Sequence, residues 1–130
     1  MQLTLLKSKI HRAVVTGASV DYEGSLTISS TLAQSVGQRS YEKILVGNLR
    51  NGNRFETYVI YGEAPGIIEL NGATAHLGRT GDRVTIMSFA RYTPEEAAIH
   101  QPNIIVLDEK NQIVRYGAGN STPSLKVVGE

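Results

Sequence analysis

The bond between Gly24 and Ser25, in the run Tyr22-Glu23-Gly24-Ser25, joins a residue with no side chain to one that carries a nucleophile. Because glycine lacks a Cβ, a neighbouring hydroxyl can approach its carbonyl closely. Attack of the Ser25 Oγ on the Gly24 carbonyl would convert the amide to an ester. β-Elimination would then break the chain and leave dehydroalanine at position 25, and hydrolysis would give a pyruvoyl group. A Gly-Ser pair is equally an ordinary turn signal, and taken alone it reads as a turn.

Three other polar groups carry potential chemistry. Lys7, Lys9 and His11 fall on one face of the first apolar run by period-2 alternation, followed by Arg12. Such a face is ordinarily the wet side of a sheet. Arg54, Glu56 and Tyr58 share a second face, with Phe55 and Thr57 opposite, which is normal half-buried strand patterning. The run Asn71-Gly72-Ala73-Thr74-Ala75-His76 presents small residues and backbone amides. It reads as a plain turn or as a place where a ligand could approach the main chain. His11, His76 and His100 lack paired ligand spacing, so a structural metal is not expected. No phosphate loop or nucleophile elbow is present, and no local motif supports Ser-His-acid hydrolysis.

The elements that must position these groups belong to a small chain. At 130 residues it fits one domain, spanning 1–130. Thirteen Lys and Arg stand against twelve Asp and Glu, for a net charge of +1, which argues against a nucleic-acid or membrane surface. The chain has no cysteine, which excludes thiol nucleophiles and fits a reducing compartment. Met1–Ile10 has no signal-peptide pattern and no apolar run reaches spanning length, so a cytoplasmic location is expected.

Short strands divided by turns dominate the pattern. Strands are expected at Leu3–Ile10, Arg12–Ser19, from Ser25 to Ile28, at Lys43–Leu49 and Arg54–Tyr61 around Asn51-Gly52, and at Ile67–Leu70 and Arg83–Arg91. Asn103–Leu107 and Gln112–Tyr116 complete a further hairpin. A short helix is expected over Thr31–Val36, stopped by Gly37, and another from Thr93-Pro94-Glu95-Glu96 to about His100. Ala73–Leu77 is too short for a stable helix by itself. Residues 117–130 read as a flexible tail. The fold class expected is mainly β: a small closed or nearly closed β-barrel with two or three short helices, with a sandwich as the alternative.

In order and spacing, Lys9-Ile10-His11-Arg12, Tyr22-Glu23-Gly24-Ser25, Arg54-Phe55-Glu56-Thr57-Tyr58, Asn71-Gly72-Ala73-Thr74-Ala75-His76 and Gly81-Asp82 resemble the aspartate 1-decarboxylase family. The resemblance extends to about Pro102. It implies a double-psi β-barrel and a homotetramer with active sites at subunit boundaries. It also implies self-cleavage between Gly24 and Ser25, leaving a covalently bound pyruvoyl group derived from Ser25 as the cofactor, with no metal and no pyridoxal phosphate. L-Aspartate would condense with that group and leave as β-alanine and carbon dioxide, a step of pantothenate biosynthesis.

The same resemblance assigns residues. Arg54 and Lys9 would bind the two substrate carboxylates, a planar fork and a point charge. Tyr58 would donate the proton and Thr57 would polarise the Gly24 carbonyl during self-processing. Asn71, Gly72 and Ala73 would line the pocket, and His11 and Tyr22 would support processing. Leu26 and Thr74 depart from the commoner family pattern; the first bears on packing and the second adds a hydroxyl in or beside the pocket. The resemblance leaves room for an accessory maturation protein. Two rival readings are a barrel-shaped binding or regulatory module that never processes, and a pyruvoyl decarboxylase for another amino acid.

Overall fold

Strand β1 (Leu3–Val14) runs straight through the point where the sequence suggests a break. In the computed structural model, which describes residues 1–118 and 126–128, its ladder against β7 (Arg83–Tyr92) steps from Ile10 opposite Ile86 to Ala13 opposite Val84. His11 and Arg12 therefore share one partner, Thr85. Such a bulge bends a strand without ending it, and Arg12 takes the left-handed conformation with φ 64°. Another irregularity leaves Lys7 unpaired between Leu6 and Ser8, where its Nζ donates to Glu42 at 2.6 Å. The two strands expected over Leu3–Ile10 and Arg12–Ser19 are thus one long strand and the short β2 (Gly17–Ser19).

The next elements follow the sequence more closely. Strand β3 (Ser25–Ser29) leads into α1 (Ser30–Ser35), and Gly37 at φ 74° turns the chain out of that helix. Strands β4 (Lys43–Asn48) and β5 (Arg54–Gly62) pair as the expected hairpin. Strand β6 (Ile68–Asn71) runs into a 3-10 turn, Gly72–His76. Helix α2 (Pro94–Ile99) opens with a full capping box between Thr93 and Glu96. Strands β8 (Asn103–Leu107) and β9 (Ile113–Ala118) form the last hairpin, and β10 (Lys126–Val127) adds to β9. The remainder of the tail, 119–125 and 129–130, lies outside the described residues.

The strands join in one hydrogen-bonded order, β10-β9-β8-β1-β7-β4-β5-β3-β6-β2. One apolar cluster draws on Ile10 of β1, Val46 of β4, Leu26 of β3, Leu70 of β6 and Ile105 of β8. Strands far apart in the order can share a core only if the sheet curls around it. Asn111 ties the curl together: its amide accepts from Val14 N–H at 2.7 Å and donates to the carbonyls of Val14 and Gly66 at 2.9 and 2.8 Å. The fold is mainly β with two short helices, as a small barrel requires; a sandwich would divide the strands between two separate sheets.

Candidate active site

Ser25 is the first residue of β3, so the Gly24–Ser25 bond lies where an exposed loop enters the sheet. Gly24 is exposed, whereas Ser25 is 5% exposed. Antiparallel pairing of β3 with β6 sets Ser25 opposite Asn71. The Asn71 amide uses that position fully: its Nδ2 donates to Ser25 Oγ at 3.0 Å and to Thr27 Oγ1 at 2.8 Å. Ser25 Oγ donates in turn towards the Glu23 carbonyl at 3.4 Å. The hydroxyl is held by residues on both sides of the bond.

The small turn after β6 rests on the same bond. Gly72 has φ 64°, and a Cβ built there would stand 2.6 Å from the nitrogen and 2.7 Å from the Cα of Gly24. Only glycine meets both demands. Thr74, expected to add a hydroxyl near the pocket, is buried and donates to the Asn71 carbonyl at 2.8 Å, with the Ser25 carbonyl at 3.4 Å. Ala73 is exposed on the outside of the turn.

Parallel pairing of β5 with β3, Leu26 opposite Val59, brings Tyr58 to this region. The result is a cleft of about 590 Å³ lined by Asp21, Tyr22, Glu23, Ser25, Thr27, Tyr58, Ile60, Glu69 and Asn71. Among the described residues, its charged lining is all acidic. Thr27 and Glu69 are not among the site residues expected from the sequence. They were legible by parity, since each lies two positions along a strand from Ser25 or Asn71 and so shares its face.

Lys9 and Arg54 line a different cleft, of about 430 Å³, together with Asn48, Asn53, Thr85 and Met87. Here the charged lining residues are both cations. A row of paired residues crosses the sheet from the β1 bulge through Thr85 and Gly47 to Arg54. The Arg54 guanidinium lies over Gly47, its Nη1 in ordinary contact distance, 3.7 Å, of where a Cβ on that residue would stand. His11 stands behind this cleft, with Nδ1 3.0 Å from Thr85 Oγ1. Burial, and then the positive charges of Lys9, Arg12, Arg115 and Arg83, push its pKa below the usual histidine value.

The predicted site residues therefore fall into two groups within one chain. Ser25, Tyr58, Asn71 and Tyr22 share the acidic cleft, with Gly24 and Gly72 beneath it; Lys9 and Arg54 share the basic one. Arg54 and Tyr58 are four residues apart on β5, about 13 Å along a strand. Thr57 alternates to the opposite face from Tyr58, the face of buried Val59, and no side-chain hydrogen bond joins it to Gly24 or Ser25 among the described residues. No group of three or more His, Asp or Glu is placed to hold a metal ion among the described residues. No described helix is long and apolar enough to cross a membrane.

Residues 1–114 match the family model described as aspartate decarboxylase. The chain belongs to the aspartate decarboxylase family. Curated relatives named aspartate 1-decarboxylase agree across most of its length. That of Dehalococcoides mccartyi strain CBDB1 is 46% identical over 124 residues, covering 95% of this chain and all of the relative. That of Campylobacter jejuni subsp. doylei is 50% identical over 111 residues, covering 85% of this chain and 88% of the relative. That of Ruminiclostridium cellulolyticum is 49% identical over 116 residues, covering 88% and 91%. The aspartate decarboxylase match includes both clefts, the Gly24–Ser25 bond and Gly81-Asp82, and it continues past Pro102, where the motif resemblance ends.

Proposed function

We propose that the chain is a self-processing, pyruvoyl-dependent enzyme that converts L-aspartate to β-alanine and carbon dioxide for pantothenate synthesis in the cytoplasm. The observation that carries this reading is the buried Ser25 hydroxyl, held at 3.0 Å by Asn71 beside a glycine pressed on by a second glycine. A plain turn needs a serine there no more than any other polar residue.

Ser25 Oγ attacks the Gly24 carbonyl; the Gly24–Ser25 C–N bond breaks as the ester forms, and the hydroxyl proton passes to the freed Ser25 nitrogen. Removal of the Ser25 α-proton expels the Gly24 carboxylate and opens the chain. Water then replaces the nitrogen, which departs as ammonia. On the family resemblance alone Thr57 is assigned to polarise the Gly24 carbonyl, with His11 and Tyr22 in support. Since Thr57 and His11 face away from this bond within one chain, they would act on it from a neighbouring subunit. Asn71 fixes the direction of Oγ and the Gly72 turn supports the Gly24 side. Those residues also fit the product. A pyruvoyl at position 25 is small and uncharged, and Asn71 Nδ2, Gly72 and the Thr74 hydroxyl surround it with donors and a bare main chain. When bound, it supplies the electron sink for loss of a carboxylate.

The substrate's charge is the work of the other cleft. Arg54 presents a fork to one carboxylate and Lys9 a point charge to the second. Tyr58 Oη supplies the proton that replaces the lost carboxylate at the α-carbon. The terminal carbons of an aspartate, three bonds apart, span roughly 4 Å, far less than the Arg54–Tyr58 spacing along β5. A dicarboxylate would also be repelled by the Asp21, Glu23 and Glu69 side taken alone. Both facts support a site shared between subunits, the basic cleft of one completing the acidic, Ser25-bearing cleft of its neighbour; the family resemblance makes that assembly a homotetramer.

The test is β-alanine formation by the purified protein from L-aspartate, beside the Ser25→Ala variant. Product from the parent and none from the variant is expected. Equal turnover by a folded Ser25→Ala protein would remove the pyruvoyl mechanism.

A further inference from the structure

Asp82 is 4% exposed and lines neither cleft, yet its carboxylate gathers three segments of chain. Arg50 donates to it through Nε at 2.5 Å and Nη2 at 3.1 Å. Asn48 Nδ2 donates at 2.9 Å and the Arg79 N–H at 3.0 Å. The Asp82 carbonyl accepts the Val15 N–H at 2.8 Å, which anchors the group to the end of β1. These donors hold the Asp82 carboxyl well below the usual carboxylate range, Arg50 contributing most.

The clamp reaches further through one carbonyl. Leu77 O accepts from the side-chain amides of Asn48, Asn51 and Asn53 at 3.2, 3.2 and 3.3 Å. Asn48 Oδ1 also accepts the Arg50 N–H at 2.9 Å. Gly78 makes space for this: a Cβ there would lie 3.0 Å from Asn48 Nδ2 and 2.8 Å from Leu70 Cδ1. Residues 48–53 are thereby fastened to the Leu77–Asp82 turn at several points. Asn48 closes β4, residues 49–53 connect it to β5, and β5 opens with Arg54. Backbone bonds close the turn itself, Asn48 N–H to the Asn53 carbonyl at 2.8 Å and Gly52 N–H to the Asn48 carbonyl at 2.9 Å, and Leu49 N–H reaches the Arg83 carbonyl at 2.8 Å. The Asp82 clamp adds the side-chain ties that set the angle of this exposed tip against the Leu77–Asp82 turn.

We infer that Asp82 is a positioning residue for the substrate: through Arg50 and Asn48 it holds the 49–53 connection and so sets the direction in which Arg54 presents its fork. The inference rests on the decarboxylase reading. A bidentate contact needs both N–H groups aligned with the carboxylate oxygens, and a misplacement of about 1 Å can cost up to a hundredfold in rate or affinity. Arg54 grips the carboxylate before and during reaction alike, so loosening it weakens binding more than the chemical step. A carboxylate that only stabilised the fold would lower the melting temperature and leave the Michaelis constant alone.

The experiment measures KM and kcat for L-aspartate in the parent, Asp82→Asn and Arg50→Gln proteins, with kcat expressed per pyruvoyl group counted by mass. KM should rise about tenfold in Asp82→Asn and severalfold in Arg50→Gln, with kcat within about threefold of the parent. In an Arg54→Lys background, Asp82→Asn should add little, because both changes spoil the same contact. Should Asp82→Asn fail to fold, Arg50→Gln carries the test, since its side chain is 44% exposed. Unchanged KM in the folded variants, or a fall confined to kcat, would overturn the inference. A parent that forms no β-alanine would instead remove the decarboxylase reading beneath it.

Discussion

Gly72 presses its bare α-carbon against Gly24: a single added carbon on Gly72 would sit 2.6 Å from the Gly24 nitrogen and 2.8 Å from the Tyr22 carbonyl oxygen. The 3-10 turn after β6 is thus the floor on which the Gly24–Ser25 bond is held. Whatever strain the bond carries must be supported there.

Gly72→Ala should therefore damage self-cleavage before anything else. The φ of 64° alone would cost an alanine roughly 1–3 kcal/mol, and relief of the clash would move the Gly24 backbone away from Asn71. Denaturing mass spectrometry should find mostly full-length chain in this variant, while circular dichroism retains the β signal. Normal cleavage in Gly72→Ala would show that the contact is incidental.

Asn71→Ala removes the donor to both Ser25 Oγ and Thr27 Oγ1. Cleavage should slow by about ten- to a hundredfold, the cost of a loosened nucleophile, with a stability loss of only about 1–2 kcal/mol. A time course of fragment appearance, set beside urea unfolding, separates the two effects. Equal slowing in Asn71→Asp would assign the effect to the donated N–H rather than to side-chain volume.

Arg54→Lys keeps the charge over Gly47 but loses the planar fork. The aspartate KM should rise about tenfold or more, and the extent of self-cleavage should stay near that of the parent. Steady-state kinetics on fully processed protein checks this. An unchanged KM would take Arg54 out of substrate binding.

Acid should weaken the fold in two stages. The folded pKa of His11 lies below its ordinary 6.5, so the unfolded chain binds more protons as pH falls past that value. Its contribution is intact above 6.5 and is lost as pH drops through the folded pKa. Asp82, lowered from 3.8 chiefly by its Arg50 hydrogen bond, keeps its contribution above that value and loses it only in stronger acid. His11→Gln should flatten the stability profile just below pH 6.5 and leave the lower stage in place. Urea unfolding at stepped pH values measures both.

Much of this arrangement was legible in the sequence because alternation and turn chemistry are local. The β4–β5 hairpin follows from Asn51-Gly52, α2 from Thr93-Pro94, and the break after β6 from Asn71-Gly72. The β1 bulge was not legible: nothing in His11-Arg12 announces that two residues will share one partner, a choice made by the facing strand β7. Alternation also placed Arg54 and Tyr58 on one face without revealing that they serve separate clefts, since it reports direction and not distance along the strand. Asp82 was visible only as half of a motif. Its role depends on Asn48, Arg50 and Arg79 converging from segments that sequence spacing cannot bring together.

The most direct test of the central claim is the denaturing intact mass of the purified protein after prolonged incubation. Two pieces are predicted, residues 1–24 and residues 25–130, the larger lighter by one ammonia than a serine-started chain and blocked to amino-terminal sequencing. A single full-length species, unchanged with time, would contradict self-processing and with it the conversion of Ser25 into the group that decarboxylates aspartate.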